Sequence, residues 1–344
     1  MDAELQNTLK AYMPRKFVCV DIGARGGLGH PWDHLHTLVD AVYFEADPVE
    51  AASLQQATDG KVLPYALAGS CGEATLYLTA ARRCSSLLEP DMAGLALYPE
   101  LERLAVENTI ALQTVTLDHL YEKKEIEHAD FMKLDVQGVE LDVMKGGRTV
   151  IDERTLGIEL EVEFKRLYKG QALFRDVDAY LCEELGMELF DLQKYYWKYK
   201  EGIHTGQVRG QAIFGNALYF RIPDGVIERC LRQDKAQATA TCCMGLVMGL
   251  AFGYVDYALR LLALAKEAEI FDKEVQAALL SAVESHGKTW RDGRGTKWNK
   301  KFALGKEKLY AWALQFAGAF APSHGGWATW DPPLGSKKKW GVFM

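Results

Sequence analysis

Residues 133–147 read KLDVQGVELDVMKGG and follow the apolar residues Ala129, Phe131 and Met132. The run has the look of a buried strand and ends in a carboxylate, Asp135. A glycine, Gly138, then leads quickly into a helical stretch that opens with Glu140 and Asp142. Open parallel sheets gather ligands and reacting groups at the carboxyl ends of their strands, so an acid at that point is placed for chemistry. Glu140 falls in the first turn of the following helix and gains from the helix dipole. Helix cap and substrate contact both remain open readings for it.

Outward from this stretch, the chain between Phe17 and about Pro223 alternates short β-rich runs with helical segments. The runs are FVCVDIG, AVYFEAD, KVLPYALAG, ATLYLTA, LQTVTLD, ADFMKLDV, LGIELEVEF, MELFDLQ and NALYFRI. Several are continuously apolar, as strands covered on both faces require, and the alternation predicts an α/β protein with a parallel sheet. The last two runs are joined by an aromatic, basic segment without a crossover helix, which predicts a hairpin and an antiparallel strand at the sheet edge. After Pro223, Ala- and Leu-rich helical patterns take over, with only a weak internal echo of a helical repeat. The expected division is a catalytic domain over 1–225 and a helical C-terminal extension over 226–344, ending in a basic and aromatic tail.

Composition narrows the function. The 344 residues are 49% hydrophobic and carry a net charge of −7, which argues against a nucleic-acid surface. Seven cysteines with no CxxC pair fit a reduced compartment. Cys242 and Cys243 sit in an apolar run and read as small buried hydrophobes rather than metal ligands. The charge-poor stretch ATATCCMGLVMGLAFGYV reads as a buried helix, not a transmembrane segment. With no secretory signal at the N-terminus, a cytoplasmic location is expected.

Two further strand ends carry acids. VCVDIGARGG closes a run with Asp21 and then supplies Gly23, Gly26 and Gly27. Arg25 stands where a dinucleotide fingerprint would need glycine, and Asp21 would repel a pyrophosphate while suiting a cationic amino group or a sulfonium. In VYFEADP a second run closes with Glu45, placed to accept ribose hydroxyls. Asp47, just before Pro48, reads as a turn residue or helix cap.

Taken in order, DIGARGG, FEADP, YALAGSCGEATLYLT, SSLLEP, TVTLDHL, ADFMKLDVQGVELDVMKGG and GIELEVEF resemble the FkbM-type S-adenosylmethionine-dependent methyltransferases over about residues 15–222. The chain departs from the family pattern in having Gln137 where Glu is usual and Arg25 where Asn is common. The resemblance implies a class I methyltransferase, Rossmann-like, seven-stranded and mostly parallel sheet, with Asp135 ending its fourth strand. It implies S-adenosylmethionine as cofactor. Asp21, Gly23 and Gly27 would lie by its methionine moiety, Glu45 by the ribose and Ala66 and Leu67 by the adenine. Ser86, with Ser85, would contact cofactor or substrate.

Methyl transfer to an alcohol needs the acceptor in line with the methyl group and help in removing its proton. Asp135 is the first candidate base. Glu159, Glu161 and Glu163 alternate along GIELEVEF and share one face of a strand, with Glu161 near the carboxyl edge. Three buried like charges are costly unless paired or metal-bound. A divalent cation such as Mg2+ held by Asp135 and Glu161 is therefore one reading. His204 is a further candidate base or a loop histidine, and Tyr195, Tyr196, Trp197 and Tyr199 would stack on a sugar ring or pack internally. The expected activity is O-methylation of a hydroxyl on a small-molecule or glycan acceptor: a sugar of a surface polysaccharide, lipopolysaccharide or glycolipid by the family resemblance. The alternatives are a polyketide-type natural product and a catalytically silent interaction module. The C-terminal helices are the expected surface for a homo-oligomer or another partner.

Overall fold

The apolar runs that end in Asp21 and Asp135 lie side by side. In the computed structural model, which describes residues 1–201 and 210–292 with the side chains of 288–292 excepted, β1 (Phe17–Ile22) pairs in parallel with β7 (Phe131–Leu134). Parallel strands extend this pair on both sides: β2 (Val39–Phe44) and β3 (Lys61–Leu63) beyond β1, and β8 (Gly157–Glu163) beyond β7. The expected edge hairpin is present, with β9 (Glu188–Trp197) antiparallel to β10 (Gln211–Phe220) and β10 antiparallel to β8. The order β3-β2-β1-β7-β8-β10-β9 is that of the class I methyltransferase sheet, with β10 reversed against the other six strands. Its direction of winding changes between β1 and β7, so the crevice outside their carboxyl ends is where a ligand binds in such sheets.

Not every β-rich run joins this sheet. A three-stranded sheet of β4 (Ala66–Leu67), β5 (Gly72–Thr79) and β6 (Val106–Val115) stands beside it, in the order β4-β6-β5. The runs ATLYLTA and LQTVTLD belong there, antiparallel to each other, which corrects their reading as members of the parallel sheet. The physical reason is exposure: Glu73 and Thr75 of β5 and most residues of β6 face solvent, as an uncovered ribbon allows and a two-sided core does not.

Helices cover the main sheet on both faces, and the two-residue period of the strands sorts their side chains. Val20, Ile22, Met132, Leu134, Ile158, Leu160 and Val162 face one core. It is closed by α4 (Leu117–Glu122), α5 (Glu140–Gly146), α6 (Arg148–Arg154) and α7 (Phe174–Ala179), the last running into a π-helical turn at Tyr180–Glu184. Phe17, Cys19, Phe131, Leu218 and Phe220 face the other core, together with α1 (Ala3–Tyr12), α8 (Pro223–Cys230), α9 (Lys235–Ala251), α10 (Val255–Glu267) and α11 (Lys273–Asp292). The remaining helices, α2 (Pro48–Ala57) and α3 (Met92–Leu95), are local; Asp47 caps α2 by accepting the Val49 amide at 3.0 Å.

The 225/226 division falls inside α8, and the helices after it form one of the two layers that bury the sheet. The connection from β1 to β2 contains only a 3-10 turn, Trp32–His34, so the space of a crossover helix is filled differently. Trp32 stacks on Phe17 at 5.1 Å between centroids and meets Phe131 at 4.9 Å and Phe252 at 5.5 Å. Each such aromatic pair adds about 0.5–1.5 kcal/mol beyond its buried area. Cys242 and Cys243 are fully buried in α9 as free thiols, and among the described residues no helix is long and apolar enough to cross a membrane.

The tightest joint between sheet and C-terminal helices is Gly157, where an added Cβ would meet the Met248 sulfur at 2.6 Å, Phe220 at 2.8 Å and Phe131 at 3.1 Å. Gly157→Ala is therefore expected to lower stability by about 1–3 kcal/mol through overpacking, read by urea denaturation. Unchanged stability would contradict this packing.

Candidate functional site

The turn after β1 is wedged between two neighbouring strand ends. Gly23 and Ala24 donate their amides to the Phe44 carbonyl at 2.9 and 3.0 Å, and the Asp135 amide donates to Ile22 at 3.0 Å. Gly23 has φ of +80°, and a Cβ there would collide with the Asp135 carbonyl oxygen, so only glycine fits. This packing brings the carboxyl ends of β1, β2 and β7 together.

Strand register then lines up charge. Asp21 pairs across to Lys133, and Lys133 to Glu159, one row across three strands. The Lys133 ammonium lies 3.1 Å from Asp21 Oδ1. Burial works against that ammonium, but the charges of Asp21 and Asp135 outweigh it and push its pKa up. Asp21 is fully buried, which raises its pKa against the pull of Lys133, and its Oδ2 has no hydrogen-bond partner. Glu159 is pushed up to about 7 by burial, opposed by Lys133.

Two residues beyond Lys133 and Glu159, the next pair of carboxylates is tied by an amide. Gln137 Nε2 donates to Asp135 Oδ1 at 2.7 Å and to Glu161 Oε1 at 2.8 Å, while its Oε1 accepts from the Tyr168 hydroxyl at 3.0 Å. Burial, then the charges of Asp135 and Glu140, raise the Glu161 pKa well above its ordinary value, and burial does the same to Glu163. The three glutamates of β8 thus have different surroundings: a nearby ammonium at Glu159, a bridging amide at Glu161 and, at Glu163, burial that raises its pKa.

Glu140 is structural. Its Oε1 accepts the Val136 amide and its Oε2 the Gly138 amide, each at 2.9 Å, so this one side chain shapes the turn that carries Asp135 and Gln137. Burial raises its pKa to about 8 against those hydrogen bonds. Gly138 has φ of +103° beneath the Gln171 side chain, and Gln171 Oε1 in turn accepts the amides of Leu167 and Tyr168 at 2.7 and 3.2 Å.

Two cavities open on this arrangement. The first, a narrow slot of about 90 Å³, is lined by Gly23, Glu45, Ala66, Leu67, Ser86, Asp135 and Gln137. The second, of about 400 Å³, has Asp135, Gln137 and Glu161 at its polar side, with Tyr168, Tyr195, Trp197, Phe214, Asn216, Arg83 and Arg103 around them. Asp135, Gln137 and Arg83 line both.

Of the residues expected from the sequence, Gly23, Glu45, Ala66, Leu67, Ser86 and Asp135 come together at the slot, and Glu161 at the second cavity. Glu45 accepts the Asp47 amide at 2.9 Å with one oxygen, and burial raises its pKa. The Ser86 hydroxyl donates to the Gln137 carbonyl at 2.8 Å and accepts the Leu88 amide at 3.0 Å, so it holds the loop. Asp21 and Gly27 line neither cavity: Asp21 is buried beside Lys133, one residue before the slot-lining Ile22, and Gly27 packs near Tyr43 and Leu54. Tyr195 and Trp197 line the second cavity, Tyr199 stacks on Tyr98, and His204 lies outside the described residues. Lys133, Tyr168, Arg83, Arg103 and Asn216 escaped sequence reasoning. Lys133 had a signal, a lysine inside an apolar strand two residues before an acid; Tyr168 had none.

Among the described residues, the set of three acids and histidines with ligand atoms near enough for a metal is His30, Asp33 and His34, all exposed and lining neither cavity. Between Asp135 and Glu161 stands the Gln137 amide nitrogen, a hydrogen-bond donor to both.

The sequence matches the methyltransferase FkbM domain over residues 21–189. Over that span the chain is similar to the FkbM methyltransferase family. Solved structures similar to it include methyltransferase FkbM from Methylobacillus flagellatus, at 15% identity and TM-score 0.34, over 60% of this chain and 43% of that one. A TehB-like SAM-dependent methyltransferase from Corynebacterium glutamicum matches at 13% identity and TM-score 0.27, over 64% and 89% of the two chains. An rRNA methylase from Streptococcus thermophilus matches at 9% identity and TM-score 0.26, over 63% and 94%. The match spans less than half of the Methylobacillus chain. No curated protein matches the sequence significantly.

Within the matched span, Glu140→Ala leaves the Val136 and Gly138 amides without their carboxylate. A buried amide left without its acceptor costs about 1–3 kcal/mol, so a loss of about 3 kcal/mol for the two is expected in chemical denaturation. A loss below about 1 kcal/mol would show that the turn holds itself.

Proposed function

We propose that the chain is an S-adenosylmethionine-dependent O-methyltransferase whose acceptor is a sugar hydroxyl of a polysaccharide, lipopolysaccharide or glycolipid. The observation that carries the reading is the pair of cavities that meet at Asp135 and Gln137. One has the strand-end acid and apolar floor that suit a nucleoside, and the other has polar groups beside aromatic walls, which suit a ring bearing hydroxyls.

The residues fit the cofactor. Gly23 lets the backbone of β1 approach closely, Glu45 offers a carboxylate to the ribose hydroxyls, and Ala66 and Leu67 give an apolar seat for the adenine. Asp21, with an unpartnered buried oxygen, holds negative potential beside the slot, where a cationic methionine moiety gains from it. When bound, the cofactor supplies a methyl group on a sulfonium. The chain's own residues orient the acceptor and take its proton. Asp135 Oδ1 is engaged by Gln137, which leaves Oδ2 to accept the hydroxyl proton at the border of the two cavities. Alignment in the second cavity supplies the proximity part of the rate. The net charge of −7 disfavours a nucleic-acid acceptor.

The test is transfer of radiolabelled methyl from S-adenosylmethionine to panels of glycans, polyketides and RNA. Label in glycans, lost in Asp135→Asn, is the expected result. Label only in polyketides or RNA would overturn the acceptor class, and wild-type turnover in Asp135→Asn would remove it as base. Glu45→Ala is expected to weaken S-adenosylhomocysteine binding by about 1–3 kcal/mol, measured by calorimetry, and unchanged affinity would contradict the ribose assignment.

A further inference from the structure

Gln137 is 9% exposed and its backbone sits at φ of +57°, a region that side chains other than glycine, asparagine and aspartate rarely adopt. That conformation is held from several sides. Ser86 donates to its carbonyl, and Glu140 accepts the amides on either side of it. The result is that the side-chain amide points between Asp135 and Glu161. A primary amide has two N–H donors. Here both are used, one on each carboxylate, at 2.7 and 2.8 Å.

The amide's orientation is set by the two acids on its nitrogen and by Tyr168 on its oxygen. The tyrosine hydroxyl contacts Gln137 Oε1 at 3.0 Å and the Cys84 carbonyl at 2.7 Å, and it can donate to either. Turning the amide over would set its oxygen against two carboxylates and lose the acceptor that faces Tyr168. A cation bridging Asp135 and Glu161 would have to occupy the point where Nε2 now stands. Divalent cations of the Mg2+ and Mn2+ class prefer oxygen donors, and an amide nitrogen at that point offers hydrogens instead.

We propose that Gln137 is a positioning residue that takes the place of a bridging cation: its amide holds Asp135 and Glu161 together, and the pair binds no divalent metal. The functional meaning rests on the reading of Asp135 as the acceptor-side base, because a carboxylate held by an amide keeps its second oxygen for the acceptor proton without a metal's competition. A glutamate at position 137 would bring a third carboxylate to the same point and remove both donors. The amide is thus the feature that separates a metal-free site from a metal-binding one on an otherwise unchanged frame.

The experiment is Mn2+ titration of the full chain followed by electron paramagnetic resonance, for wild type, Asp135→Asn, Gln137→Glu and the Gln137→Glu/Asp135→Asn double variant. S-adenosylhomocysteine calorimetry runs in parallel. Wild type and Asp135→Asn are expected to bind Mn2+ alike, which subtracts any binding at the exposed His30, Asp33 and His34. Gln137→Glu is expected to gain at least about tenfold in Mn2+ affinity, and the double variant to lose that gain. Wild-type Mn2+ binding that Asp135→Asn weakens tenfold or more would overturn the proposal, and this arm needs no change at Gln137. A Gln137→Glu chain that keeps its S-adenosylhomocysteine affinity and gains no Mn2+ affinity would also overturn it. Failure of wild type to bind S-adenosylhomocysteine would count against the methyltransferase reading alone, since the Mn2+ comparison is read independently.

Discussion

The ammonium of Lys133 is the charge around which the site is assembled. It stands 3.1 Å from Asp21 on β1, and the fields of Asp135 and Glu159 act on it as well. Three strands could not bring their acids to one edge of a buried sheet without such a counter-charge, because isolated buried carboxylates are expensive. A change that removed the ammonium and left Asp21 in place would strand a fully buried charge. The cation therefore allows the crevice at the switch point to be both acidic and closely packed.

From that row outward the structure grows polar in steps. Lys133 serves the first row, Gln137 the second, and Glu140 the turn between β7 and α5. Each is a side chain whose role is fixed by hydrogen-bond inventory: an ammonium for acids, an amide for a pair of carboxylates, and a carboxylate for backbone amides. The methyltransferase sheet supplies the position, and these three supply the local balance.

Much of this fold is visible in the sequence because buried parallel strands leave continuous apolar runs, and acids at their ends mark the carboxyl edge. Asp21, Glu45 and Asp135 are legible in that way, and the hairpin of β9 and β10 is legible from the missing crossover helix. Less is visible where tertiary pairing decides. The runs in β5 and β6 have strand character, yet nothing local says that they pair outside the main sheet. The helical patterns after Pro223 announce helices but not that they replace a crossover helix above β1, a vacancy marked only by Trp32. In the site, Gln137 stands out in the sequence only against the pattern the resemblance implies, while its bond to Glu161, 24 residues away, is a fact of register. Tyr168 reaches Gln137 across 31 residues and has no neighbourhood signal at all.

The methyltransferase chemistry depends first on whether the slot outside β1 and β2 holds the nucleoside. Calorimetric titration of the full chain with S-adenosylhomocysteine decides it. Saturable micromolar binding at one site per chain is the predicted result. A chain that is folded by circular dichroism and binds neither S-adenosylhomocysteine nor S-adenosylmethionine would contradict it, and the methyltransferase sheet would then serve another purpose.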